Sequence, residues 1–111
     1  MSSIYNGLGS GPCAVEEFDR QSRIITDTRG EDYGHPREDF LRAQLIKTAV
    51  QSCPNPAVRH ALEMIGLKMS RLVHNPNHLD SIIDIAGYAR TIAMIIDREA
   101  TIIEEAQDGQ V

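Results

Sequence analysis

Apolar residues recur three and four positions apart along most of this chain, and Pro, Gly and Asn interrupt them at short stops, which predicts helices joined by tight turns. From about residue 14 to 26, Val15, Phe18 and Ile25 line one face, and the polar turn Asp27-Thr28-Arg29-Gly30 ends the helix. Glu31-Asp32-Tyr33-Gly34 reads as a loop into His35-Pro36. Pro36 suits the first position of a second helix, whose N-terminal dipole Glu38 and Asp39 complement. That helix runs to about Gln51, with a packing stripe of Phe40, Leu41, Leu45, Ala49 and Ile46. Ser52-Cys53-Pro54-Asn55-Pro56 is a stop and a restart, with Asn55 as N-cap. The third helix, about 57–74, carries Ala61, Leu62, Ile65, Met69, Leu72 and Val73 toward a core. Asn75-Pro76-Asn77 repeats the punctuation before the last and longest helix, which starts at Asn77 or His78 and frays around Glu104, Glu105, Asp108 and Gly109.

The expected architecture is all-α, a compact bundle of about four helices. Its organisation is a flexible Gly-rich arm at 1–12, a single helical domain at 13–107 and a frayed tail at 108–111. Within the last helix, Asp80, Asp84, Gly87, Tyr88 and Thr91 share one narrow arc, while Ile82, Ile83, Ile85, Ala86, Ala89, Ile92, Ala93 and Ile96 fill a wider one. Such a helix is expected to pack on several sides. Two carboxylates at or near a core then need a cation, either a basic side chain from a neighbouring helix or a bound metal.

Composition narrows the function classes. The 111 residues carry a net charge of −5, which argues against a general nucleic-acid binder or an anionic-membrane binder. Cys13 and Cys53 lack metal-type spacing and read as reduced thiols. The N-terminus lacks a signal-peptide pattern, and Asp84, Arg90 and Asp97 interrupt the greasy last helix, so a soluble cytoplasmic protein is expected.

Asp80 and Asp84, one turn apart, have the spacing by which a helix offers two oxygen ligands to one hard cation; the alternatives are a solvated face or ion pairs with Lys68 and Arg71. Asp39 reads as simple dipole complementation, whereas Glu38, two residues past the Pro of a Tyr-Gly-His-Pro turn, could reach across the bundle to a metal. Glu63, mid-helix among apolar neighbours, is either exposed or a fourth ligand. Lys68 and Arg71 can neutralise phosphate as well as carboxylate. Tyr33, His35 and Tyr88 could stack on a base or bond a sugar, or simply pack. His60, His74 and His78 show no ligand spacing, and no phosphate loop, Ser/His/Asp arrangement or Cys/His cluster stands out.

Read together, Arg29, Tyr33-Gly34-His35-Pro36-Arg37-Glu38, Lys68-Met69-Ser70-Arg71-Leu72 and Asp80-Ser81-Ile82-Ile83-Asp84-Ile85-Ala86-Gly87-Tyr88-Ala89 resemble a group of small phage and prophage helical proteins classed as a domain of unknown function. The resemblance covers about residues 14–97. That group in turn is similar to the MazG-type, all-helical nucleoside triphosphate pyrophosphohydrolases, although this chain has no E-x-x-E before Asp80. The resemblance implies that Glu38, Asp80 and Asp84, with Glu63, bind Mg²⁺, for which Mn²⁺ can substitute. Lys68 and Arg71 would hold the leaving pyrophosphate, and Arg29, Tyr33, His35 and Tyr88 the nucleotide. It also implies a nucleoside triphosphate substrate, dGTP included, hydrolysed to monophosphate and pyrophosphate in a phage-infected cytoplasm by a homodimer or homotetramer. The alternatives are a protein that only binds or sequesters nucleotide, and a structural helical protein.

Overall fold

Three of the helix starts are set by side chains that take up otherwise orphaned backbone donors. In the computed structural model, which describes residues 13–109, the order is α1 (Ala14–Tyr33), α2 (Pro36–Val50), α3 (Pro56–His74) and α4 (Leu79–Asp108), with no strand among the described residues. His35 Nδ1 accepts from the Arg37 N–H at 3.1 Å ahead of α2, and Asn55 Oδ1 accepts from Ala57 and Val58 at 3.0 and 3.1 Å ahead of α3. His78 Nδ1 does the same for Ser81 at the start of α4. The expected arm at 1–12 and residues 110 and 111 of the expected tail lie outside the described residues.

The first helix is longer than the sequence suggests. It absorbs the expected turn at 27–30 and most of the expected loop, and within it Thr26 and Thr28 donate their hydroxyls back to the Ser22 and Ile24 carbonyls, each at 2.9 Å, instead of opening a turn. It ends at Gly34, with φ +82°, where a Cβ would also stand 2.9 Å from His74 Nδ1. Glycine is required there twice over.

Helix α3 is the centre, packed on α1, α2 and α4. Of the expected stripe only Ile46 is turned to it: Phe40, Leu41 and Leu45 are 52–75% exposed, while Asp39 is buried and Arg42, Ala43, Ile46 and Val50 are half-buried. The reason lies on α3. Gly66 lets Ile46 come so close that a Cβ at position 66 would lie 2.7 Å from Ile46 Cγ2, and Ser70 meets Asp39 one turn later. Met69 and Val73, expected in the core, are exposed for the same reason of register.

Helix α4 lies along α3 rather than among several neighbours. Much of its apolar surface is bare around the helix, with Ile82, Ile83, Met94, Ile96, Ile102 and Ile103 each 46–57% exposed. Ala61 is the one fully buried apolar side chain among the described residues. No helix among them is long and apolar enough to cross a membrane.

Candidate functional site

The chemistry gathers where α3 meets α1 and the start of α4. Lys68 and Arg71, three residues apart, share one side of α3. Lys68 Nζ lies 3.0 Å from Asp84 Oδ2, with the Lys68 side chain 13% exposed and that of Asp84 36% exposed. Along the arc read from the sequence, Asp84, Gly87, Tyr88 and Thr91, with Ile83, line an open pocket of about 380 Å³. Asp80 is exposed in the first turn of α4 and forms no ion pair among the described residues.

Arg71 has a different environment. Its guanidinium lies over the Tyr33 ring, 4.1 Å from the centroid, and its Nε is buried without a hydrogen-bond acceptor among the described residues. Tyr33 in turn meets the His78 ring edge-on at 5.3 Å. His78 Nδ1 faces Ser81 Oγ at 2.8 Å and Nε2 faces Asp32 Oδ2 at 3.8 Å. Asp32, His78 and Ser81 thus stand in a row that no sequence spacing announced. Ser81 is only 1% exposed, so no substrate carbonyl or phosphoryl centre can reach its hydroxyl, and the row serves as the cap of α4.

A second pocket, of about 290 Å³, opens between α1 and α2; Thr26, Arg29, Tyr33, Pro36, Asp39 and Phe40 contribute to its lining. Asp39, 4% exposed, accepts from Ser70 Oγ at 2.7 Å on Oδ1, and Arg42 Nη1 anchors Ser70 by donating to its carbonyl at 2.8 Å. Glu38, by contrast, points outward beside Arg37 at 3.4 Å. Glu63 accepts from Gln51 Nε2 at 2.7 Å, and His35, exposed, is spent as the cap of α2.

A model of the domain of unknown function DUF6378 matches residues 17–96. The chain belongs to the DUF6378 family. The Gene 55 protein of Mycobacterium phage D29 is 32% identical over 80 residues, covering 72% of this chain and 53% of that protein. The Gene 55 protein of Mycobacterium phage L5 is 37% identical over 70 residues, covering 60% and 43%. The chain therefore spans about half the length of the phage relatives it matches. No solved structure matches. The DUF6378 match contains every side chain of the site, from Arg29 to Thr91, and stops before the last turns of α4.

The fold of this DUF6378 protein brings together Asp84 with Lys68, Arg71 with Tyr33, and Arg29 with Tyr33 at the second pocket. It does not assemble Glu38, Glu63, Asp80 and Asp84 into one ligand set. Among the described residues, no three His, Cys, Asp or Glu side chains stand close enough to hold a metal ion. The residues of one chain thus do not fit a complete metal centre, and the cation beside Asp84 is Lys68. Sequence reasoning missed Asp39 and Ser70. Their pairing joins two helices, so no spacing within one segment signals it.

Proposed function

We propose that this DUF6378 protein binds the polyphosphate of a nucleoside triphosphate and acts as a MazG-like pyrophosphohydrolase, yielding the monophosphate and pyrophosphate. The observation that carries the reading is Arg71, a guanidinium held on the Tyr33 ring with its Nε buried and unpaired among the described residues. The buried Nε is out of a ligand's reach, whereas the two Nη groups of this half-buried guanidinium donate to no acceptor among the described residues and can give a phosphate oxygen charge-assisted hydrogen bonds. Lys68, one turn away, adds a second positive charge; its partner Asp84 lines one pocket, and Tyr33, which carries Arg71, lines the other. The charge pattern favours a small anionic ligand over nucleic acid or a membrane surface.

Each chain supplies Asp80 and Asp84, fewer oxygen ligands than Mg²⁺ or Mn²⁺ requires. In this reading a homodimer or homotetramer completes the set, and the bare apolar surface of α4 is what such an assembly would cover. A second reading, binding without turnover, is favoured by the Lys68 ammonium already standing against Asp84.

Pyrophosphate release from a panel of ribo- and deoxynucleoside triphosphates, with Mg²⁺ or Mn²⁺, separates these readings. The proposal expects metal-dependent release, lost by at least about 100-fold in Asp84→Ala with helical content retained. Binding without release selects the second reading. Neither binding nor release removes both.

A further inference from the structure

Asp39 is the buried ionisable group that the reading above leaves unused. We infer that the pocket it borders is a base-reading subsite, and that Asp39 selects a base presenting two adjacent N–H donors, as guanine does. The inference rests on the nucleotide reading of the site.

The Asp39 side chain is 4% exposed, and no basic side chain among the described residues lies within ion-pair distance of it. Its hydrogen-bonding partner is neutral, the Ser70 hydroxyl on Oδ1. Among the described residues nothing donates to Oδ2. Arg42 grips Ser70 rather than Asp39, so it holds the carboxylate in place through Ser70 and not by a direct ion pair. The adjoining pocket, about 290 Å³, is at the small end for organic ligands, and Tyr33, Phe40 and Pro36 give it flat apolar walls suited to a planar ring. Tyr33 also carries Arg71 on its ring, so the base subsite and the phosphate-binding guanidinium share one side chain.

An ionised carboxylate offers acceptors and no donor. Guanine alone among the common bases sets a ring N–H directly beside an amino group on its pairing edge. Adenine and cytosine place an acceptor beside the amino group, and uracil or thymine flanks its N–H with carbonyl oxygens. Each of these turns a lone pair toward Asp39, which costs affinity.

The test is calorimetric titration of the whole protein with non-hydrolysable triphosphate analogues of guanosine, inosine, adenosine, cytidine and uridine. Inosine lacks only the amino group. The guanosine analogue is expected to bind about 10- to 100-fold more tightly than the inosine one, with the other three weaker still. Asp39→Asn is expected to erase the guanosine-to-inosine ratio while triphosphate binding persists. Equal affinities across the five analogues overturn the role of Asp39 and leave the nucleotide reading standing, whereas no binding of any analogue removes that reading and this one with it. If Asp39→Asn fails to fold, the guanosine-to-inosine ratio of the unaltered protein decides the matter alone.

Discussion

Asp39 and Asp84 face α3 from opposite sides, and the fold treats them in opposite ways. Asp39 is buried and meets a neutral hydroxyl; Asp84 is part exposed and meets an ammonium. The contrast teaches where charge is left over. Around Asp84 the chain has supplied its own counterion, so a ligand there must displace or join Lys68. Around Asp39 the negative charge is oriented by Ser70 and helped by the N-terminal dipole of α2, with no basic side chain among the described residues at ion-pair distance. Arg71 is the mirror case, a positive charge without an acceptor among the described residues.

The largest loss is expected for Ser70→Ala, which adds no volume but strands a buried carboxylate and removes an Arg42 contact. It is expected to cost about 3 kcal/mol in urea unfolding. A cost below about 1 kcal/mol would show that Asp39 does not depend on Ser70. Lys68→Met should matter less, about 0.5–1 kcal/mol, because Asp84 can rehydrate at its exposed edge. A loss as large as that of Ser70→Ala would place Asp84 in the same class as Asp39.

The smallest effect is expected at Glu17, a surface carboxylate with its own cation. Hydrogen bonds from the Arg20 guanidinium, and then from the Gln21 amide, hold its carboxyl below the usual carboxylate range. A folded value lower than the unfolded one means that the contribution is present above the unfolded value and fades as pH falls through the folded one. Glu17→Gln should flatten the acid limb of melting temperature against pH only slightly, since the group is exposed. A steep change would mean that α1 depends on this pair.

What could be read from the sequence follows the range of the interactions concerned. The starts of α2, α3 and α4 are set by Pro36, Asn55-Pro56 and His78, local capping chemistry that one segment contains in full. The arc of Asp84, Tyr88 and Thr91 follows from helical periodicity and lines a pocket as the spacing implies. The inward face of α2 was not legible, because Gly66 and Ser70 on α3 decide it against the more apolar Phe40, Leu41 and Leu45. The Arg71–Tyr33 stack was equally hidden, since it needs α1 to run on to Tyr33 through residues that read as a turn.

The central claim is that Arg71, on its Tyr33 platform, is a binding site for phosphate oxygens. Titration with inorganic triphosphate tests it without invoking a base or a reaction. The account predicts saturable binding to the unaltered protein, weakened at least about tenfold in Arg71→Gln at unchanged melting temperature. Equal affinity in the two proteins, or no binding to either, would contradict it.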